Sequence, residues 1–197
     1  NTALLTADIQ TIYNNGSPND ISSLSPVAWY KLNASEIFNS TSAEWSVDNN
    51  VYPSVYKSSL NFNNDYIRVN SFVFGGLTSL SISCWYNLNT ISTDHAVIAR
   101  WTGLPRSILL YHDAPNGWRF LINGVAQFQS THIATINTWQ HLAVTYESGV
   151  ATKIYLNGVS QTGSLVSSGA IPSSTAWDIG RDFGSNTKNL NGELSNL

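Results

Sequence analysis

Aromatic side chains next to polar ones form the most suggestive group of residues in the sequence. Trp101, Tyr111, His112, Trp118 and Arg119 fall in or beside two predicted strands that a Pro-Asn-Gly turn joins. The apolar face of a pyranose ring stacks on such aromatic rings, and its hydroxyls need hydrogen-bonding partners. Strands joined by a short turn lie side by side in one sheet, so these five residues form a candidate ligand-binding patch. Packing in the core of a sandwich is the alternative role for each ring.

Catalytic chemistry is not indicated. Glycoside hydrolysis needs two carboxylates that flank the scissile bond, but none of the four glutamates lies two residues before an aspartate. The four histidines show no metal-ligand spacing, and no nucleophile elbow marks a serine triad. The sequence therefore predicts a protein that is not an enzyme.

Composition excludes several classes of partner. The chain has 197 residues, a length that suits one β-sandwich domain, and its net charge is −3. Only 11% of the residues are charged, against a typical value of about 25%. No run of Lys and Arg suits a nucleic acid or an anionic membrane, and no apolar stretch is long enough to span a bilayer. We therefore expect neither nucleic-acid binding nor membrane insertion.

Hydrophobic periodicity predicts an all-β protein with one short helix at its start. Leu5, Ile9, Ile12 and Tyr13 recur at helical spacing. The remainder reads as short alternating strands separated by turns, among them two Asn-Gly hairpin signals that begin at Asn123 and Asn157. A dozen or so strands with no helices between them favour an antiparallel sandwich. The single cysteine, Cys84, lies in an apolar run and is expected to be a small core residue.

Five segments carry a resemblance to a known family: Ser79–Tyr86, Trp139–Tyr146, Lys153–Val159, Asp178–Asp182 and Leu190–Leu194. The second and third together resemble the "W-h-H-v-A-v-t-Y … l-Y-v-d-G" hairpin of laminin-G-like and pentraxin modules. The last two resemble the closing strand pair of the same modules. The chain thus looks like a member of the concanavalin A-like lectin/glucanase superfamily, and this resemblance implies an antiparallel jelly-roll β-sandwich.

A calcium site is suggested only by this resemblance. Many members of the superfamily bind Ca²⁺ at a rim of the sandwich, in the loop that follows the "i-G" strand. Asp182 falls in that loop, Asn186 is nearby, and Glu193 is a further candidate carboxylate. The resemblance therefore implies one structural Ca²⁺ as a hypothesis, with a role as turn formers and surface charges as the alternative.

The N-terminus supplies the domain boundary. Residues 1–13 are similar to the tail that usually follows the closing strand in this family. We therefore divide the chain into a tail-like helix and linker, residues 1–18, and a laminin-G-like sandwich, residues 19–197. The first segment is either the end of a preceding module or a piece that covers an open sheet edge of the same or a neighbouring subunit. The second interpretation makes copies of the chain partners of one another.

Two functions follow as expectations. The first is a glycan- or surface-binding module, without catalysis, of a larger extracellular or virion protein. The second is a structural or assembly module, such as a decoration, fibre or surface-layer repeat, with no small ligand. The chain is similar to tandem modules of marine phage and bacterial surface proteins, it contains no methionine, and it shows no secretory signal. We therefore expect a processed product or a piece of a longer protein at an extracellular or virion surface.

Overall fold

A computed structural model of the chain gives its architecture. It describes residues 3–16, 21, 24, 45–47, 51–53, 59–70, 76–100, 107–165, 169–172, 176–182 and 187–197. The predicted first strand at residues 27–32 lies outside these ranges. In the described part the regular structure consists of strands, with helix only near the N-terminus, so the all-β prediction is confirmed.

The elements follow one another in a simple order. The helical part comprises α1 (Thr6–Tyr13) and a short 3₁₀ turn (Asn14–Gly16). The described strands are β1 (Trp45–Val47), β2 (Val51–Pro53), β3 (Leu60–Asp65), β4 (Ile67–Val69), β5 (Ser79–Leu88), β6 (His95–Arg100), β7 (Ile108–Asp113), β8 (Gly117–Ile122), β9 (Val125–Ser130), β10 (Gln140–Glu147), β11 (Lys153–Leu156), β12 (Val159–Ser160), β13 (Gly163–Leu165), β14 (Trp177–Ile179) and β15 (Leu190–Ser195).

The described strands pair antiparallel into two sheets. The eight-stranded sheet has the order β1-β4-β14-β6-β7-β8-β9-β13, and the seven-stranded sheet has the order β12-β11-β10-β5-β15-β3-β2. The chain changes sheet between β3 and β4, and Asn64, near the end of β3, adopts a positive φ of 61°. The antiparallel jelly-roll β-sandwich predicted from the sequence is therefore confirmed.

The core lies between the two sheets and is filled by alternate residues of each strand. Phe62, Cys84 and Leu142 of the seven-stranded sheet belong to one buried cluster with Trp118 and Phe120 of the eight-stranded sheet. Because successive side chains of a strand point to opposite faces, the residues between these positions face outward. Cys84 is fully buried, as expected for a small core residue, and burial raises the pKa of its thiol.

Both Asn-Gly hairpin signals form tight turns. Asn123 and Gly124 have φ values of 53° and 72°, and Asn157 and Gly158 have values of 49° and 75°. Positive φ at both central residues is the requirement of a type I′ turn, which matches the twist of the strands that it joins. These turns fix the pairing of β8 with β9 and of β11 with β12.

The helix α1 lies on the outer face of the seven-stranded sheet. Its Ile9 and Ile12 are buried against Ala143 and Tyr155, which are the outward residues of β10 and β11. The predicted periodicity is thus confirmed for Ile9 and Ile12. Leu5 instead precedes the helix and is 71% exposed, because the helix begins one residue later.

The helix α1 therefore covers the face of a sheet and not its edge. The backbone N–H of Leu4 donates a hydrogen bond of 2.9 Å to Ser81 Oγ on the central strand β5. In the structure α1 therefore covers a sheet of its own chain. The division at residue 18 stays a prediction.

We predict that Gly192→Ala destabilises the sandwich by roughly 1–3 kcal/mol. Gly192 has a φ of 155°, and an added Cβ would meet the backbone of β5 at Asn87 O and, at 2.9 Å, at Leu88 Cα. Gly169→Ala is the matched control, since its Cβ would have nothing within 4 Å. Urea unfolding measures both, and equal stability of the two variants would contradict the packing of β15 against β5.

Candidate functional site

A row of side chains crosses four neighbouring strands on the outer face of the eight-stranded sheet. The strand register places Ala96 of β6 opposite Tyr111 of β7, Tyr111 opposite Arg119 of β8, and Arg119 opposite Gln129 of β9. Directly opposed residues in an antiparallel sheet have their Cβ atoms about 4.5–5.5 Å apart. Three long side chains with polar groups are therefore held side by side.

Tyr111 and Arg119 form the centre of this row. Arg119 Nη1 donates a hydrogen bond of 3.1 Å to Tyr111 Oη, and the guanidinium carbon lies 5.9 Å from the centre of the tyrosine ring. Tyr111 is 4% exposed. Burial raises the pKa of Tyr111 to about 12, so its hydroxyl keeps its proton at neutral pH and accepts the bond from Arg119.

Asp113 accepts hydrogen bonds from several side chains at one end of the row. Its Oδ2 accepts hydrogen bonds from Gln129 Nε2 at 3.0 Å, from Asn116 Nδ2 at 3.3 Å and from Arg119 Nη1 at 3.4 Å. The side chains of Arg119 and Asp113 are 30% and 13% exposed. These groups therefore reach the surface while their positions are fixed by one another.

A second ion pair borders the ring of Tyr111. Lys188 Nζ forms a short ion pair with Asp94 Oδ2 and lies 4.4 Å from the centre of the Tyr111 ring. A cation at this distance from an aromatic face is attracted by the ring quadrupole. The other oxygen of Asp94 accepts a hydrogen bond of 2.9 Å from the backbone N–H of Ala114. We call Asp94, Tyr111, Asp113, Arg119, Gln129 and Lys188 together the Tyr111 cluster.

The cluster has the chemistry of a polar recognition surface. Two carboxylates, a guanidinium, an ammonium and an amide surround one aromatic ring, and the two ion pairs balance the charge. Such groups donate to and accept from ligand hydroxyls. Because the side chains already hold one another in place, a ligand has little side-chain entropy to remove on binding.

Of the five residues predicted to form the ligand patch, two lie in the cluster and two point into the core. His112 and Trp118 are fully buried. Trp118 Nε1 donates to Tyr86 Oη at 3.3 Å, and the Tyr86 and Trp118 rings meet edge-on with centroids 4.7 Å apart. Trp101 lies outside the described residues.

The ring of His112 is held in the core by a hydrogen bond to the backbone. Its Nε2 accepts a hydrogen bond of 3.3 Å from the backbone N–H of Ala134. Burial, with the nearby His95 second, lowers the pKa of His112 to about 4. The strands β7 and β8 are indeed neighbours, as predicted. Adjacent positions in a strand face opposite ways, so Tyr111 and Arg119 share the outer face while His112 and Trp118 share the core.

Sequence reasoning missed Asp94, Gln129 and Lys188. Counting outward from the turn at Asn123 would place Phe128 opposite Arg119. A register shift between Phe120 and Leu121 instead brings Gln129 there and pairs Phe128 with Phe120. A β-bulge adds one residue to one strand, and the residue types of β8 and β9 do not predict it.

The three predicted calcium ligands are not brought into one described group. Asp182 follows β14 of the eight-stranded sheet and is fully buried. Glu193 lies on β15 of the seven-stranded sheet, where Ser59 Oγ donates to it at 2.7 Å. Asn186 lies outside the described residues. Within the described ranges, no group of three or more His, Cys, Asp or Glu side chains is placed to hold a metal, so calcium binding stays a prediction.

The fold and the cluster together define a class: a two-sheet antiparallel jelly roll that carries a polar, aromatic-centred surface on one outer face. The sequence profile of the concanavalin A-like lectin/glucanases superfamily matches residues 61–197. The chain belongs to this superfamily, which confirms the resemblance found in the motifs. No curated protein sequence matches the chain.

Solved structures share the fold at low sequence identity. Domain 4 of AbnA, an extracellular arabinanase of Geobacillus stearothermophilus, solved in complex with arabinotriose, has a TM-score of 0.57 and 15% identity, over 74% of this chain and 71% of that one. A pentraxin of Limulus polyphemus has a TM-score of 0.56 and 12% identity, over 70% and 72%. The binding domain of botulinum neurotoxin serotype G has a TM-score of 0.57 and 14% identity, over 79% and 43%.

Among the described residues, no helix has the length and apolar character needed to cross a membrane.

We predict that Trp118→Ala lowers the free energy of unfolding by about 3–5 kcal/mol, because it empties a fully buried site in the core. Arg119→Ala, one residue away on the outer face, should cost about 1 kcal/mol or less. Chemical denaturation of both variants measures the difference. A stable Trp118→Ala variant would show that this ring does not support the core.

Proposed function

We propose that the protein is a non-catalytic glycan-binding module and that the Tyr111 cluster is its ligand surface. The observation that carries the proposal is the row Tyr111–Arg119–Gln129 with Asp113 at its end, since four polar side chains from neighbouring strands are fixed by mutual hydrogen bonds at an outer face. Glycans present hydroxyls at regular spacing, and a fixed array of donors and acceptors matches such a ligand.

The individual roles follow from the hydrogen bonds. Arg119 has five N–H donors, and Nη1 is its only nitrogen with a hydrogen-bonding partner among the described residues. Its Nε is buried, so the Nη2 donors serve ligand oxygens, while Asp113 and Gln129 provide carboxylate and amide oxygens for ligand hydroxyls. Tyr111 supports Arg119 from below, because its ring is almost fully covered.

The comparisons support binding rather than catalysis. One similar structure is an arabinanase domain solved with arabinotriose, and another is described as a binding domain. This is an argument from a shared fold, which hosts several roles.

We further propose that the module acts as part of a larger protein outside the cell or on a virion. We also propose, from the family resemblance alone, one structural Ca²⁺ in the loop that contains Asp182; Glu193, which lies on the other sheet, is not part of that site.

The proposal predicts saturable binding of the purified chain to a defined set of glycans on an array. Arg119→Ala and Asp113→Asn should each weaken that binding by about 10- to 100-fold, since each loses hydrogen bonds to a charged group. Lys153→Ala is the matched control, because Lys153 is exposed on the other sheet. Titration calorimetry of the best glycan measures the three affinities, and thermal melts confirm that the variants fold.

Running the array with Ca²⁺ and again with EDTA tests the calcium hypothesis at the same time. A blank array under both conditions would overturn glycan binding and favour the alternative function, a structural or assembly module. In that case the chain should form oligomers or polymers that electron microscopy detects.

A further inference from the structure

The helix α1 depends on its docking site for its own stability. It has eight residues, and isolated helices shorter than about 12–15 residues are marginal in water. Its two buried residues, Ile9 and Ile12, contact the sheet at Ala143 and Tyr155. Thr6 Oγ1 and Tyr155 Oη add a hydrogen bond of 3.1 Å. Leu4, Ile21 and Leu24 pack against the same group of residues. Contacts with the sheet, and not the intrinsic stability of the helix, therefore hold α1 in place.

His141 lies at this interface, and no described side chain pairs with its ring nitrogens. It is an outward residue of β10 and is fully buried. Its imidazole lies 5.3 Å from the Trp85 ring and 5.9 Å from the Tyr13 ring, centre to centre. Among the described residues, neither Nδ1 nor Nε2 has a hydrogen-bonding partner. Burial of an unpaired polar group costs free energy even in the neutral form, and a charge there costs far more.

The part of the surroundings that the structure describes offers no counter-charge to a protonated His141. The titratable groups on the elements around the imidazole are Asp8 and Tyr13 on α1, Cys84 and Tyr86 on β5, Tyr146 and Glu147 on β10, and Lys153 and Tyr155 on β11. Asp8 accepts a hydrogen bond of 3.0 Å from a backbone amide at the start of α1. Glu147 and Lys153 are exposed toward the other end of their strands. No described ion pair includes the imidazole.

Protonation and docking of α1 therefore oppose each other. Burial lowers the pKa of His141 to about 4 from the ordinary value of 6.5. A group with a lowered pKa in the docked state binds its proton more readily once α1 leaves. The docked state is then fully favoured above pH 6.5 and loses stability as the pH falls toward 4. The docking equilibrium should weaken by about two orders of magnitude across this interval.

We propose that His141 is a proton-operated latch, in which acidification charges the imidazole, releases α1 and uncovers Trp85, Ala143 and Tyr155 on the outer face of the seven-stranded sheet. Tyr13 is the part of α1 that closes over the ring, and it also packs against the hairpin turn, since a Cβ at Gly158 would lie 2.9 Å from Tyr13 Cδ1. The two sheets keep their shared core when α1 leaves, because none of the residues in that core belongs to the helix.

Hydrogen exchange of the full chain between pH 7 and pH 4.5 tests the latch. Protection factors, which correct for the intrinsic pH dependence of exchange, should fall at least tenfold in α1 while those of β5 and β10 are retained. His141→Phe keeps an aromatic ring without a titrating group, so α1 should stay protected at pH 4.5. His141→Gln serves as the second non-titrating variant if the phenylalanine does not fold.

Three results would overturn the latch. Protection in α1 that is unchanged down to pH 4.5 would do so, as would an equal loss in the non-titrating variants. Loss of protection in α1, β5 and β10 at one common pH would mean global acid unfolding, to which the buried His112 also contributes.

Discussion

The alternation of side chains around an apolar core between two sheets is the constraint on which the rest of the structure depends. Trp118 and Phe120 must face the opposite sheet because their rings fill the space between the layers. Arg119 lies between them in the strand, so its side chain faces outward. The same rule sends His112 inward and Tyr111 outward. The residues that lie between the core positions therefore form the polar outer surface.

The bulge in the β8–β9 hairpin then decides which residues complete that surface. The register shift near Phe120 allows Phe128 to join the core and moves Gln129 to the outer row. Without it, Gln127 would oppose Phe120 and a phenylalanine would stand beside Arg119. Gln127 is instead buried at the irregularity, where its Nε2 donates to the carbonyl of Val125 at 3.1 Å. One inserted residue therefore serves the core and the outer surface at once.

Local signals in the sequence account for much of the fold. The Asn-Gly pairs at 123 and 157 identify turns because few other residues accept positive φ, and the spacing of Ile9 and Ile12 identifies the buried side of the helix. The candidate site is harder to foresee. Lys188 and Asp94 are 94 positions apart, so their pairing depends on how the chain crosses between sheets. The inward orientation of Trp118 likewise depends on which of its neighbours fill the core.

The two outer faces of the sandwich differ in physical character. The face of the seven-stranded sheet is apolar and aromatic around His141 and is covered by α1. The face of the eight-stranded sheet carries the Tyr111 cluster, whose charged groups remain partly exposed. That second face also holds a buried apolar group beside the cluster, formed by Ala96, Ala99, Leu109 and Leu121. We propose the second face as the ligand surface because its charged groups are partly exposed, whereas α1 covers the first face around His141.

The most direct test of this account is to map where a bound glycan touches the protein, by amide chemical-shift changes during titration with the best glycan from the array. The account predicts that the changes concentrate at Tyr111, Asp113, Arg119 and Gln129. Changes confined to α1 or to the loop at Asp182, with none in β7, β8 and β9, would contradict the assignment of the Tyr111 cluster as the ligand surface.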